Sequence, residues 1–133
     1  MLTGEDMAFN VNVAYRKLVN SEPRLAADFH TWQSSVPFVY TYLLSTVDGK
    51  PIYAGETYGK TRGRRLYNHL VRGDRLTNFG KTYQKKHGLT PEETHRKIRK
   101  LHVRWFEGPL ADCKQLQNLI IENDAPVCNK RKW

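Results

Sequence analysis

Apolar and polar positions follow their clearest strand-like pattern around an aspartate–glycine pair in the first half of the chain. Residues 38–44, FVYTYLL, are rich in aromatic and β-prone side chains, which is typical of a half-buried strand. Asp48-Gly49 supplies the positive φ angles that a tight hairpin turn requires. Residues 52–55, IYAG, predict the return strand, and its glycine permits close approach of another group to the backbone. The pattern therefore predicts a β-hairpin.

A helix with one cationic side is predicted directly after the hairpin. At about 100° per residue, four basic residues fall within one stripe, whereas Leu66 and Leu70 point toward a core. The stripe consists of Arg62, Arg65, His69 and Arg72. Cations on a helix that faces two tyrosine-bearing strands indicate a phosphate-binding site.

The first 35 residues predict helices outside this unit. An apolar stripe at helical spacing extends from Met7 to Leu18, and residues 21–23, SEP, predict the start of a second helix. We expect this extension to cover one face of the sheet. A DNA-binding arm and a dimer contact are the alternatives.

Four further elements are predicted in the second half of the chain. The polar insert 75–88 predicts a helical turn or loop, in which Phe79 and Tyr83 are either core residues or base-stacking residues. A capping box at residues 90–93, TPEE, begins a helix that extends to about Lys100. Residues 102–106 alternate as a third strand, and residues 110–123 form an amphipathic closing helix.

Together these elements predict an α/β domain. It consists of a small three-stranded, largely antiparallel sheet flanked by helices over residues 36–133, with a helical N-terminal extension over residues 1–35. At 133 residues, the chain is long enough for one modest core.

Basic charge is concentrated in the middle of the chain. The formal net charge is +9, and residues 60–104 hold 14 of the 22 Lys and Arg but only three of the 13 Asp and Glu. Such a basic region within a nearly neutral chain is the electrostatic signature of a nucleic-acid-binding surface. A surface adjusted for solubility is the alternative, although solubility alone rarely concentrates charge in one third of a chain. The candidate DNA-binding residues are Lys60, Arg62, Arg64, Arg72, Lys81, Lys85, Lys86, Arg96, Lys97 and Lys100.

Cysteine usage and hydropathy favour a cytoplasmic protein. Cys113 and Cys128 lack the spacing of a zinc site, and two buried thiols are favoured over a disulfide between them. No run of roughly 18 apolar residues is present, so we expect no membrane association. The N-terminus is polar and acidic, unlike a secretory signal.

Several short motifs, taken in order, resemble the GIY-YIG nuclease superfamily. The motifs of that family's first half are matched by Tyr40 in FVY, Tyr53 in YAG, and Arg65 followed by His69. Residues 116–129, LQNLIIENDAPVCN, are similar to its closing helix and its Pro-x-x-Asn ending. The resemblance covers residues 36–129, and the order and spacing of the motifs make it more specific than any one of them.

The resemblance implies a catalytic set and one divalent metal ion, Mg²⁺ or Mn²⁺, per site. Tyr40 and Tyr53 would orient or deprotonate the attacking water. Arg65 would bind the scissile phosphate, and His69 would assist as a hydrogen-bond partner or proton shuttle. Tyr42, on the same strand face as Tyr40, is the alternative tyrosine. Structural or near-site roles are expected for Gly55 and Asn129.

Gln117 stands where the family has its metal-binding glutamate. An amide oxygen offers only a dipole, so it should hold Mg²⁺ less well than a carboxylate. Three explanations remain open: an engineered substitution, a natural inactive member that only binds, or replacement by another acid. Glu56 and Glu122 are the candidate acids.

The expected function is therefore a divalent-metal-dependent endodeoxyribonuclease that hydrolyses phosphodiester bonds in duplex or branched DNA, inactivated here if Gln117 is uncompensated. Because the sequence ends just after Asn129, target choice is expected from residues 75–100, the N-terminal extension or a homodimer. A non-catalytic nucleic-acid-binding module on the same fold is the main alternative. An RNA-binding, ribosome-associated protein is a third, which rests on charge alone.

Overall fold

An antiparallel sheet forms the centre of the fold in the computed structural model, which describes residues 9–58, 63–71 and 77–129. The strands of this described part are β1 (Arg24–Leu25), β2 (Val39–Ser45), β3 (Pro51–Tyr58) and β4 (His102–Glu107). Their order across the sheet is β1-β4-β2-β3, so β3 lies at one edge. The α/β class and the antiparallel pairing predicted from the sequence are confirmed.

The helices of the described part lie on both faces of this sheet. They are α1 (Val11–Asn20), α2 (Phe29–Trp32), α3 (Arg64–Leu70), α4 (Asn78–His87), α5 (Pro91–Ile98) and α6 (Leu110–Asp124). Short 3₁₀ turns at Ala26–Asp28 and Gln33–Ser35 flank α2.

The predicted hairpin is present as β2 and β3. Gly49 has a φ of 92° in the connecting turn, a conformation that favours glycine. In the register of the pair, Tyr42 stands opposite Gly55 and Leu43 stands opposite Ala54. Because side chains alternate along a strand, this register puts Tyr42 and Ala54 on opposite faces of the sheet.

The prediction of three strands was wrong, because residues 24–25 add a fourth strand beside β4. The expected second N-terminal helix is reduced to the single turn of α2. Long-range contacts explain the extended backbone: the Ala26 N–H donates to the Leu101 carbonyl at 2.9 Å, and the Arg24 guanidinium lies 3.9 Å above the Trp105 ring. Such contacts override the local helical pattern.

The sheet separates two apolar clusters. The face that we call the α6 face carries Leu43 and Ala54, which pack against α6 and α1. The opposite face, which we call the tyrosine face, carries Tyr40, Tyr42 and Leu44 and packs against side chains of the remaining helices. The free thiols of Cys113 and Cys128 are both buried, as expected.

The described part of the N-terminal extension covers a sheet face through α1, as predicted; Met7 lies outside the described residues. Helix α1 packs on α6 and β4, with Ala14 and Leu18 buried. At its edge the Tyr15 hydroxyl donates to the Asp124 carboxylate at 2.7 Å. Burial and this carboxylate raise the pKa of Tyr15 to about 12.

Within the polar insert, Asn78–His87 form the 10-residue helix α4, which is longer than the helical turn or loop that was predicted. Phe79 and Tyr83 are buried in the core below it, so they are core residues and are not available for stacking on bases. The capping box of α5 is formed as predicted by Thr90 and Glu93.

Candidate functional site

A tyrosine and a histidine form a buried polar pair on the tyrosine face. The Tyr42 hydroxyl on β2 lies 2.9 Å from Nε2 of His69 on α3. Tyr42 is 1% exposed and His69 is 5% exposed. Two residues of the predicted cationic stripe therefore differ in environment: Arg65 is exposed to solvent, whereas His69 is buried in the core.

Glycine at position 55 leaves room for this pair. A Cβ added to Gly55 would lie 2.5 Å from Cζ of Tyr42, closer than real Cβ contacts allow. The phenol of Tyr42 thus lies directly against the backbone of β3. This packing is the physical reason for the glycine in the YAG motif.

Tyr53 lies beside the same pair. In the register of β2 and β3, Tyr53 stands opposite Leu44, so its side chain lies on the tyrosine face. Its ring centroid lies 5.6 Å from that of His69 and 6.1 Å from that of Tyr42. Tyr53 is half-buried, so it is the tyrosine of this cluster that is nearer to solvent.

A threonine that sequence reasoning did not single out completes the cluster. The Thr77 hydroxyl lies 2.9 Å from Nδ1 of His69. The same oxygen accepts a hydrogen bond from the Gly80 N–H at the start of α4. A threonine just before a helix signals an N-cap, but sequence does not show which helix lies next to it.

Burial and nearby charge set the protonation of the pair. Burial raises the pKa of Tyr42 well above its usual value, and the neighbouring Tyr53 adds to this rise, while the Arg65 cation lowers it. For His69, burial and then the Arg65 cation lower the pKa to about 3. The tyrosine is therefore a neutral phenol and the histidine a neutral imidazole at physiological pH.

Tyr40, the tyrosine that the sequence motif favoured, does not share this contact. Its hydroxyl is buried and has no hydrogen-bond partner among the described residues. Its ring centroid lies 5.9 Å from that of Tyr42, and burial raises its pKa above the usual range. Of the two candidates on this strand face, the structure brings Tyr42 to His69.

Comparisons with protein-family models, with curated proteins and with solved structures yield no match. The geometry of the described residues is therefore the basis for assigning a function. No helix in the described ranges has the length and apolar character needed to cross a membrane.

Asn129 ties the chain end to the edge strand. Its Oδ1 accepts from the Ala54 N–H at 2.7 Å, and its Nδ2 donates to the Ala54 carbonyl at 2.8 Å. Ala54 lies between Tyr53 and Gly55, so this side chain holds the backbone of the YAG motif in place. Asn129 thus forms a structural contact with strand β3.

The candidate metal ligands lie on the α6 face. Glu56 stands opposite Thr41, and its Oε2 is buried without a hydrogen-bond partner in the described part of the chain. Gln117 is half-buried on α6, one helical turn after Cys113, whose carbonyl accepts a hydrogen bond from the Thr41 hydroxyl at 2.7 Å. The other candidate acid, Glu122, is exposed.

The described residues offer few protein ligands for a metal ion. Among the described residues, no group of three or more His, Cys, Asp and Glu side chains is arranged to hold an ion. An unpaired carboxylate oxygen is nevertheless a suitable ligand for Mg²⁺, which often keeps several waters and uses one or two carboxylates together with substrate phosphates. The buried, unpartnered Oε2 of Glu56 has the chemistry of such a ligand.

Exposed cations follow the helices on the tyrosine face. Helices α4 and α5 contact each other, and they carry the exposed predicted cations Lys81, Lys85, Lys86, Arg96 and Lys97. Arg64 on α3 and Lys100 just after α5 are exposed as well. Lys60, Arg62 and Arg72 lie outside the described residues. The exposed cations form a set of side chains available for phosphate contacts.

Proposed function

We propose that this chain is a divalent-metal-dependent endonuclease that hydrolyses phosphodiester bonds in DNA. The observation that carries the proposal is the buried, uncharged Tyr42–His69 pair beside the exposed cation of Arg65. Phosphodiester hydrolysis requires a proton acceptor for water and a cation for the phosphate, and in this proposal His69 and Arg65 would take these two roles. The resemblance to the GIY-YIG superfamily supports the same assignment.

Substrate binding would begin with the exposed cations. Lysines and arginines on α4 and α5 would contact phosphates along the DNA backbone, and Arg65 would bind the scissile phosphate through its planar guanidinium. A phosphate at Arg65 would also neutralise the cation that helps to lower the pKa of His69. Binding would therefore make the imidazole a better proton acceptor.

Proton transfer would then pass through the tyrosines. Tyr53, the more exposed tyrosine of the cluster, would orient the water and receive its proton while its own proton passes to Tyr42. Tyr42 would pass its proton to Nε2 of His69, which lies 2.9 Å away. The resulting hydroxide would attack phosphorus, and the leaving oxygen would take a proton from solvent. Tyr53 and Arg65 are thus the proposed catalytic residues, and Tyr42 and His69 act behind them.

The divalent metal would be held by Glu56 and Gln117. A metal held there would lie on the α6 face, across the edge strand β3 from Tyr53. It would have to reach the phosphate around this sheet edge, where it would neutralise negative charge. The neutral amide of Gln117 makes this the weakest part of the site, because an amide oxygen binds Mg²⁺ less strongly than a carboxylate.

A non-catalytic DNA-binding module is the second candidate. Gln117 is the observation that favours it, since an uncompensated amide would leave the site without enough negative charge to retain the metal. The cations of α4 and α5 would serve this function equally well.

Nicking of supercoiled plasmid in Mg²⁺ or Mn²⁺ tests the proposal. The chain is compared with its Gln117→Glu variant, and Glu56→Gln is introduced into both. We expect cutting to appear or rise about 100-fold with Gln117→Glu and to fall with Glu56→Gln, a range typical of losing or gaining one essential group. If no variant cuts while duplex DNA is still bound, the enzyme proposal is wrong and the binding module stands.

A further inference from the structure

Thr77 occupies a junction between the candidate site and helix α4. Its hydroxyl oxygen lies 2.9 Å from Nδ1 of His69 and accepts the Gly80 N–H at 3.2 Å. His69 therefore has a partner at each ring nitrogen, with Thr77 on one side and Tyr42 on the other. A neutral imidazole carries one proton, so one nitrogen donates and the other accepts.

Two arrangements satisfy these contacts. In the first, Nδ1–H donates to Thr77 and the Tyr42 hydroxyl donates to Nε2. In the second, the Thr77 hydroxyl donates to Nδ1 and Nε2–H donates to Tyr42. The arrangements differ in the direction in which the Tyr42 proton points.

Acid strength and burial both favour the first arrangement. A phenol is a far stronger acid than an alkyl alcohol, so Tyr42 is the better donor to an imidazole nitrogen and Thr77 is the better acceptor. Tyr42 is 1% exposed, so its hydroxyl hydrogen needs a partner inside the protein, and Nε2 of His69 is an acceptor only 2.9 Å away. Thr77 is half-exposed, so its hydroxyl hydrogen can be satisfied by water.

The first arrangement also uses both lone pairs of the Thr77 oxygen. One lone pair accepts the Gly80 N–H that caps α4, and the other accepts Nδ1–H of His69. The helix cap and the histidine thus depend on one hydroxyl group.

We infer that Thr77 is a positioning residue that holds His69 in the Nδ1–H tautomer and presents the unprotonated Nε2 to the hydroxyl of Tyr42. The hydrogen bond at one ring nitrogen decides which proton form the other nitrogen offers. The value of this tautomer for catalysis rests on the proposed nuclease function, in which Nε2 receives the proton of Tyr42. The tautomer itself is a property of the folded chain.

The test is a long-range ¹H–¹⁵N correlation spectrum of the full chain labelled at histidine, which distinguishes protonated from unprotonated ring nitrogens. It is recorded near pH 7 for the chain and for its Thr77→Val and Thr77→Ser variants. Thr90→Val is the matched control, because Thr90 caps α5 as Thr77 caps α4, and its hydroxyl accepts a hydrogen bond from the Glu93 N–H rather than bonding to His69. Loss of a cap alone is thereby separated from loss of the histidine contact.

We expect Nδ1 of His69 to be protonated in the chain, in Thr77→Ser and in Thr90→Val. Thr77→Val is expected to lose this signature and to show an Nε2–H tautomer or a mixture. An Nε2–H tautomer in the unsubstituted chain would overturn the inference, as would an unchanged Nδ1–H signature in Thr77→Val. If Thr77→Val does not fold, the spectrum of the unsubstituted chain alone still decides which nitrogen carries the proton.

Nuclease assays on the same variants, made with Gln117→Glu, separate the two proposals. Cutting that falls in Thr77→Val but persists in Thr77→Ser and Thr90→Val supports the positioning role. If the chain shows the expected Nδ1–H tautomer but no variant cuts DNA, the nuclease proposal is contradicted. The inference that Thr77 sets the tautomer of His69 still stands in that case.

Discussion

Asn129 forms hydrogen bonds to both backbone groups of Ala54, although 75 positions separate them in the chain. Its carboxamide replaces the neighbouring strand that an edge strand lacks, because it donates to the carbonyl and accepts from the N–H of the same residue. The bonded residue lies between Tyr53 and Gly55. Asn129 thereby couples the end of the described chain to the backbone of the candidate site.

The first prediction concerns this amide pair. Asn129→Asp should destabilise the fold by roughly 1–3 kcal/mol at pH 7, because a carboxylate cannot donate to the Ala54 carbonyl. The difference should shrink at low pH, where a protonated carboxyl can donate again. Urea unfolding measures it, with Asn118→Asp on the exposed side of α6 as the matched control. Equal losses in the two variants would contradict the pairing.

The second prediction concerns the contact of Tyr42 with Gly55. Gly55→Ala should cost roughly 1–3 kcal/mol, because the new Cβ would displace the phenol ring. The penalty should largely disappear when Tyr42→Ala is already present, which a double-mutant cycle in urea unfolding detects. Additive effects of the two substitutions would show that the ring does not restrict position 55.

The third prediction separates the two tyrosines of β2. Tyr40→Phe removes a buried hydroxyl without a partner in the described chain, so stability should be unchanged or rise by about 1 kcal/mol. Tyr42→Phe removes the group that contacts His69. In the Gln117→Glu chain, plasmid nicking should fall about 100-fold or more for Tyr42→Phe and stay nearly constant for Tyr40→Phe. The reverse order would show that Tyr40, and not Tyr42, is the tyrosine of β2 that takes part in the reaction.

The fourth prediction follows from the histidine. The pKa of His69 is about 3 in the folded chain, below its ordinary value of 6.5, so the unfolded chain binds a proton more readily. The stability from neutral His69 is therefore present above pH 6.5 and is lost as the pH falls toward 3. Between pH 7 and pH 5 the free energy of unfolding should fall by about 2 kcal/mol from this group.

His69→Gln isolates this contribution because the other histidines remain. Its free energy of unfolding should decline less over the same pH range, as measured by urea unfolding at pH 7, 6 and 5. Parallel curves for the two chains would mean that the imidazole is not held neutral by the fold.

The fifth prediction concerns the basic surface. Replacing Lys81 and Lys85 by alanine should weaken binding to duplex DNA and reduce the slope of log affinity against log salt by about 1–2, if each contacts a phosphate. Fluorescence anisotropy over a salt series measures the slope. Lys17 and Lys114, exposed on α1 and α6, provide a control pair with the same change in charge. A similar slope change in the control would indicate binding through net charge alone.

Several elements could be predicted because their signals are local. Asp48-Gly49 specifies a turn through backbone conformation, and the cap at Thr90 needs only Glu93 three residues later. The apolar spacing of α6 likewise marks one face of a helix. Such signals depend on neighbours in the chain, so the sequence by itself determined the hairpin, the capped helix and the closing helix.

Tertiary structure decided the composition of the candidate site. Tyr40 and Tyr42 share one face and the same period-2 pattern, and only the cross-strand register places Tyr42 over Gly55. The burial of His69 and its contact with Thr77 depend on how α3 and α4 pack, which no local pattern encodes. The fourth strand likewise forms because β4 offers a partner to residues 24–25. Contacts between segments that are far apart in the chain therefore decided which residues form the site, because the local sequence patterns do not distinguish the alternatives.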